Sequence, residues 1–138
     1  MAPPMWLTAS EAELCARMMP ADQFEGLAVA STLEAWGWES DRHLLLAGLL
    51  HDVGKSLAPP GARYRVLVTL LESFAPRLLP ALAARSAAIQ ALHGHAARGA
   101  AMAAEAGLSI DVVGLIAGHH SYSVDARMQA LQEADALH

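Results

Sequence analysis

A short apolar run, Leu44–Leu50, constrains the fold of this chain more than any other segment. Its side chains must be buried, yet a helix that crosses a bilayer needs about 20 apolar residues in succession. The run leads directly into His51 and Asp52, which are followed by Gly54 and Lys55. The sequence therefore predicts a core helix that delivers an imidazole and a carboxylate to the protein interior.

Composition favours packed helices over a β-sheet. The chain has 138 residues, of which 54% are hydrophobic and 5% are aromatic. Ala and Leu, which are strong helix formers, dominate, whereas Thr and Ile, which favour strands, are scarce. No repeat or long linker interrupts the chain. We therefore expect one compact all-α domain across residues 1–138, built from about seven to eight helices.

Capping residues and helix breakers predict the order of these helices. Thr8 with Glu11, or Ser10 with Glu13, forms a capping box for an N-terminal helix within residues 1–21. A loop is predicted at Pro59–Gly61. Before the loop, helices are expected at Ala21–Trp36, stopped by Gly37, and at Arg42–Leu50, capped by Ser40 and Asp41. After it, one helix is expected to carry Leu67, Leu70, Leu71, Phe74 and Leu78, and a separate helix to restart at Pro76 or Pro80 and run to Leu92. The last three are expected at Ala96–Ala106, ended by Gly107, at Asp111–Gly118, started by Ser109, and at Val124–Leu137.

Charge and cysteine content exclude several classes of protein. The net charge of -5 argues against binding to a nucleic-acid polymer, which normally requires a basic stripe. The single cysteine, Cys15, excludes an internal disulfide framework and is typical of a reducing compartment. The N-terminal residues contain no basic region followed by an apolar stretch, so we expect neither a secretory signal nor a membrane partner. A cytoplasmic protein is predicted, and a homodimer stays open.

The adjacent pair His51-Asp52 is the first candidate for chemistry. Neighbouring residues within a helix point about 100° apart, so such a pair converges only where the helix ends and the second residue swings back. We expect Gly54 to give the chain the flexibility for that turn. An imidazole with a carboxylate suits Fe, Mn, Co, Ni or Zn. An isolated His-Asp pair, however, is more often an exposed helix end.

This pair is accompanied by other ionisable residues in apolar surroundings. The chain has seven histidines, and His93, His95, His119 and His120 lie in two short segments after the core helix. Asp135 stands in an otherwise apolar helix, where an unpaired buried carboxylate is costly and requires a cation. Each residue alone could be a core histidine or a solvated aspartate, but their joint occurrence indicates a site.

The order of these motifs resembles the HD superfamily of metal-dependent phosphohydrolases. The resemblance rests on LLHDVGK, then HAARGA, then IAGHH, and finally an Ala-Asp pair near the end of the chain, and it covers about residues 22–138. It implies an all-α domain whose helices gather one or two divalent transition metal ions.

The resemblance also implies roles for individual residues. His51, Asp52 and Asp135 match the core metal ligands of the family, and Asp52 would bridge two metals. His95 and His119 match the extra histidines that hold a second metal. His93 falls outside the pattern.

One position departs from the family pattern. The family has an earlier histidine about one helix upstream, where this chain has Glu25. Helical spacing puts Glu25 on a face with Val29, Thr32 and Trp36, which predicts an inward-facing carboxylate. Glu25 would then be a metal ligand that makes the site harder and more anionic. The alternative is that a ligand has been lost and the site binds one metal weakly, or none.

The implied activity is hydrolysis of a phosphate ester or anhydride in a small, nucleotide-like substrate. Lys55 matches a family lysine near the substrate phosphate, and Asp52 and Lys55 are the catalytic candidates. His120 and Arg98 are further candidates for contact with substrate, as are Arg63 and Arg65, although an exposed arginine is usually only solvated. Two alternatives stay open: a degenerate HD domain that binds a nucleotide or protein partner without catalysis, and a purely structural helical bundle.

Overall fold

A computed structural model describes residues 4–57, 62–84 and 94–138, and every regular element in these ranges is helical. The α-helices of the described residues are α1 Ala9–Arg17, α2 Pro20–Leu33, α3 Arg42–Leu50, α4 Ala62–Phe74, α5 Leu79–Ala83, α6 His95–Glu105, α7 Ile110–Gly118 and α8 Ala126–Ala136. A π-helical turn follows α2 at Glu34–Trp38, and 3-10 turns lie at Val53–Leu57 and Pro76–Leu78. The predicted all-α fold is confirmed.

Helix α3 is the centre of this arrangement, because every residue from Leu44 to Leu50 is buried. It packs against α1, α2, α7 and α8, while α6 packs against α7 and against the turn Val53–Leu57. The apolar partners of α3 include Leu33, Ile116 and Leu131, each less than 2% exposed. Burying a leucine side chain contributes about 1.5–3 kcal/mol, so this run strongly favours a position of the helix inside the core.

Side-chain caps begin the helices close to the predicted positions. The hydroxyl of Thr8 accepts from the backbone amide of Glu11, and the Glu11 carboxylate accepts from the amide of Thr8, which completes the predicted capping box. Asp41 caps α3 and Ser109 caps α7, as expected. Asp125 caps α8, which begins at Ala126, two residues after the predicted start at Val124.

The second helix differs from the prediction in how it ends. It was expected to continue to Trp36, but α-helical geometry stops at Leu33 and a wider π-helical turn follows. Gly37, within this turn, has φ 92°, a conformation that favours glycine and breaks the helical geometry. The wider turn changes the helical register, and Trp36 is 44% exposed rather than inward-facing.

Helix α4 forms where the leucine spacing predicts it, but much of that apolar stripe faces solvent. Leu67, Leu70, Phe74 and Leu78 are 39%, 50%, 83% and 54% exposed. Among the side chains that the structure describes in this region, Leu79 of α5 is the most buried, at 2% exposure. The predicted loop at residues 59–61, most of the helix predicted to end at residue 92, and His93 lie outside the described residues.

None of the helices in the described ranges is both long and apolar enough to cross a membrane. A cytoplasmic location and a single domain over residues 1–138 stay predictions.

Glu11 ties the N-terminal helix to the core. It is 6% exposed, and both of its carboxylate oxygens accept from the Arg42 guanidinium, at 3.1 Å and 2.5 Å. The guanidinium also lies over the Trp6 ring, 5.4 Å from its centroid. Burial by itself raises the pKa of Glu11, but the Arg42 and Thr8 donors outweigh burial and leave that pKa below its ordinary value.

Replacing Glu11 by Gln should therefore lower the free energy of unfolding by about 1–2 kcal/mol at neutral pH. Because the folded-state pKa is depressed, this stabilisation is present above the ordinary glutamate pKa of about 4.3 and is lost as pH falls through the folded-state value. Urea unfolding at pH 7 and pH 3 measures both effects. Glu13→Gln, on an exposed position of the same helix, is the control, and an equal loss in that variant would contradict the prediction.

Candidate metal centre

The end of α3 delivers the first two candidate ligands. His51 is the C-cap of the helix and Asp52 lies in the turn that follows, and their exposed fractions are 0% and 3%. Both side chains can point inward because the chain leaves the helix between them. His95 begins α6, His119 follows the end of α7, and Asp135 lies near the end of α8. Four separate segments thus converge on one buried region.

The two oxygens of Asp52 face different groups of side chains. Oδ1 lies 3.1 Å from His95 Nε2 and 4.0 Å from His119 Nε2. Oδ2 lies 3.4 Å from His51 Nε2 and 3.0 Å from Lys55 Nζ. A carboxylate placed in this way can contact two cations at once, one through each oxygen.

Backbone carbonyls fix the orientation of two imidazoles. His51 Nδ1 donates to the Gly48 carbonyl at 2.7 Å, and His119 Nδ1 donates to the Ile116 carbonyl at 2.6 Å. A carbonyl only accepts, so Nδ1 carries a proton in both rings, and Nε2 points into the site, where it presents a lone pair whenever the ring is neutral. Metal-binding histidines are commonly held by such outer hydrogen bonds.

The inward ring nitrogens lie close enough to one another, and to carboxylate oxygens, to share a cation. His51 Nε2 is buried without a hydrogen-bond partner, although Asp135 Oδ1 is 3.1 Å away. His95 Nε2 lies 3.3 Å from His119 Nε2 and 3.2 Å from His120 Nε2. Nitrogens at about 2.0–2.1 Å from a tetrahedral metal are themselves about 3.3–3.4 Å apart. The imidazole spacing therefore suits ligation of one ion.

The candidate ligands form two groups with different chemistry. The first group is His95, His119 and His120, and the second is Glu25, His51 and Asp52; within each, the ligand atoms lie within 4.8 Å of one another. Asp135 joins the second group through its contact with His51. The first group is made of imidazoles, whereas the second is rich in carboxylates and so is the harder site.

The electrostatics of the centre favour a cation beside its carboxylates. Burial by itself lowers the pKa of His51, but the neighbouring Asp135 and Asp52 outweigh burial and hold that pKa well above its ordinary value. Burial would raise the pKa of Asp52, but His51, His95 and Lys55 hold it well below its ordinary value. Burial, with the neighbouring imidazoles, lowers the pKa of His119 to about 3, so that ring stays neutral and able to bind metal.

Glu25 reaches the centre because α2 packs unusually close to α3. A Cβ at the neighbouring Gly26 would overlap the Leu49 carbonyl, so only glycine permits this approach. Glu25 is half-buried, and its pKa is raised by burial and by repulsion from Asp52. The predicted inward orientation is therefore found, although Trp36, which was predicted to share that face, is exposed.

Gly54 has a different role from the one predicted. Positive φ angles in the described glycines occur at Gly37 and Gly107, so the turn after Asp52 does not need the flexibility of glycine. The constraint is steric, because a Cβ at Gly54 would overlap the His95 carbonyl oxygen and lie 2.7 Å from the Gly99 nitrogen. Gly54 thus allows the start of α6 to lie directly against the turn that carries Asp52 and Lys55.

A family model described as HD domain matches residues 26–138. The chain belongs to the HD domain family. No curated protein and no solved structure matched the chain significantly. HD domains form a superfamily of metal-dependent phosphohydrolases that bind divalent metals, and the His, Asp and Glu clusters of this chain could hold such ions. The match begins one residue after Glu25, the position that departs from the HD pattern.

The remaining predicted site residues lie at the edge of this HD centre. Lys55 is bonded to Asp52, and His120 lies beside His95 with its side chain open to solvent. The Arg98 guanidinium lies against the backbone of Gly94, at the start of α6, and not in either ligand group. Of Arg63 and Arg65, no side chain is described.

Two residues near the centre were not predicted from sequence. Asp22 is 4% exposed and, with Asp52 and Glu25, raises the pKa of Lys55 against the opposing effect of burial. Its spacing of three residues from Glu25 could have indicated this shared face. Gln132 of α8 contacts the turn that carries His119 and His120, through the backbone carbonyl of Ser121. A glutamine on a helix gives no sequence signal for such a contact.

Replacing Gly54 by Ala should destabilise the protein by about 1–3 kcal/mol and weaken metal binding, because the new methyl group pushes His95 away from Asp52. Urea unfolding and calorimetric titration with Mn²⁺ measure the two effects. Gly114→Ala is the matched control, since a Cβ there meets no atom within 4 Å. Unchanged metal affinity in the Gly54 variant would show that the contact does not position the ligands.

Proposed function

We propose that this HD domain is a metal-dependent phosphohydrolase that acts on a small, nucleotide-like phosphoester or phosphoanhydride. The observation that carries the proposal is the position of Asp52, whose two oxygens face two groups of candidate ligands. A carboxylate between two such groups is suited to bridge two divalent ions. The buried His51 Nε2 supports the same proposal, because it forms no hydrogen bond of good geometry although two carboxylates face it.

The candidate ligands of the proposed centre are His51, Asp52, His95, His119, Asp135 and Glu25. Imidazole with carboxylate donors fits Fe, Mn, Co, Ni or Zn. Such ions would lower the pKa of a water ligand from about 15.7 to near 7, which makes hydroxide available at neutral pH. Two of them would bring the nucleophile and the phosphoryl group together.

The chain itself would bind and orient the phosphate. The Lys55 ammonium is held 3.0 Å from Asp52 Oδ2 and its side chain is 26% exposed, so it can reach an incoming phosphoryl oxygen. Asp52 and its neighbours keep the pKa of Lys55 raised against the opposing effect of burial, which maintains its positive charge. A cleft of about 380 Å³ opens beside His119, His120 and Asp135. That volume suits a small substrate.

A second candidate function is binding without catalysis, and Glu25 favours it. Where the family pattern has a histidine, this chain has a carboxylate whose pKa is raised by burial and by Asp52. A protonated carboxyl group would be a poor ligand. A domain with one weak metal position could bind a nucleotide or a protein partner and never hydrolyse it.

Replacing Asp52 by Ala should abolish metal-dependent hydrolysis and reduce metal content, since both ligand groups lose their shared carboxylate. We expect the parent protein, loaded with Mn²⁺ or Fe²⁺, to hydrolyse bis(p-nitrophenyl) phosphate or a nucleotide, and the variant to lose at least about 100-fold in rate. Metal analysis and a colorimetric assay measure these outcomes. A parent that retains no transition metal after reconstitution would disprove the proposal.

Replacing Glu25 by His separates the two candidate functions. If Glu25 is a working ligand, the parent is active, and the variant should keep its metal content while its preference moves from Mn²⁺ towards Zn²⁺, because imidazole is the softer donor. If the parent is degenerate, activity should appear only in the variant. Competition titrations with the two ions, and the same hydrolysis assay, distinguish these results.

A further inference from the structure

His119 and His120 lie outside regular secondary structure, in a turn with its own hydrogen bond. Helix α7 ends at Gly118, and the Ser121 amide donates to the Gly118 carbonyl at 2.8 Å. The two histidines are therefore the central residues of a four-residue turn. The ring of His120 has no described backbone bond to fix it, so its position depends on how this turn is held.

Gln132 of α8 contacts both ends of that turn. Its Nε2 donates to the Ser121 carbonyl at 2.5 Å and approaches the Gly118 carbonyl at 3.4 Å. These are the residues that the turn's own hydrogen bond joins. One amide group thus attaches the whole turn to α8.

The same face of α8 carries Asp135, three residues after Gln132. Residues three apart lie on one side of a helix, one above the other. Asp135 Oδ1 lies 3.1 Å from His51 Nε2, and Gln132 and Asp135 both line the cleft of about 380 Å³. Helix α8 therefore carries the candidate ligand Asp135, and through the side-chain amide of Gln132 it also contacts the turn that carries His119 and His120.

We propose that Gln132 is a positioning residue that sets the distance between the His119–His120 turn and the remainder of the centre. This inference rests on the proposed metal-dependent function. Gln132 belongs to neither ligand group; it fixes the backbone that carries the His119 and His120 rings, which would otherwise move relative to His95. Loss of an outer contact of this kind typically costs about 10–100-fold in metal affinity.

The chain offers a matched control on the same helix. Gln129 Nε2 donates to the Ser123 carbonyl at 3.1 Å, one helical turn before Gln132 and beyond the histidine turn. Both glutamines tie the same loop to α8 through one amide. The proposal requires that only Gln132 affects the metal centre.

Gln132→Met and Gln129→Met test this difference, because methionine keeps the side-chain length and removes the donor. Each full-length protein is titrated with Co²⁺, and the visible d–d bands report affinity and ligand geometry, while thermal unfolding of the metal-free proteins reports stability. We expect the Gln132 variant to bind Co²⁺ about 10–100-fold more weakly with shifted bands, and the Gln129 variant to match the parent.

Parent-like bands and affinity in Gln132→Met would overturn the inference. An equal loss of affinity in both variants would also overturn it, because the Gln132 contact would then serve only the general stability of the loop. A parent that binds no Co²⁺ would instead overturn the proposed function. In that case ¹⁵N relaxation of residues 119–121 decides the inference separately. Increased motion in Gln132→Met and not in Gln129→Met supports the positioning role, and equal order in all three proteins refutes it.

Discussion

The burial of the Asp52 carboxylate is the constraint on which this structure depends. A charged group with 3% exposure is costly unless cations and donors surround it, and removing its partners would cost several kcal/mol. Lys55 and His95 lie 3.0 Å and 3.1 Å from its oxygens and offset part of the free-energy cost of burying the charge. A divalent ion between the carboxylate and the neighbouring imidazoles would offset the remainder, since a neutral imidazole offers such an ion a lone pair. The apolar helix that buries Asp52 and the candidate metal centre are therefore one feature.

Close contacts between backbone segments bring the other candidate ligands to the buried carboxylate. Gly26 lets α2 approach α3, and Gly54 lets α6 approach the turn after Asp52, so that Glu25 and His95 reach the same region. A structural bundle could also contain buried histidines, but their ring nitrogens would then be paired. His51 Nε2 has no such hydrogen bond, which favours a site that uses these groups.

Local signals predicted most of the fold. Thr8, Asp41 and Ser109 begin helices because their side chains accept from the backbone amides three residues ahead, an interaction encoded entirely within one turn. The end of α2 was less predictable, since no residue before Gly37 distinguishes the π-helical turn at Glu34–Trp38 from a continuing α-helix. The exposed stripe of α4 was unpredictable for a similar reason: spacing identifies an amphipathic helix but not what lies against its apolar face.

The sequence by itself determined that the chain is helical, that Leu44–Leu50 is buried, and that His51, Asp52, His95, His119 and Asp135 are the residues to consider together. Those conclusions follow from propensity, hydrophobicity and motif order, which are properties of the chain alone. Only the tertiary structure decided that Gly54 acts by close contact rather than flexibility, that Glu25 lies beside His51 and Asp52, and that Gln132 holds the histidine turn. Each of these depends on a distance between segments far apart in sequence, and such distances are set by packing.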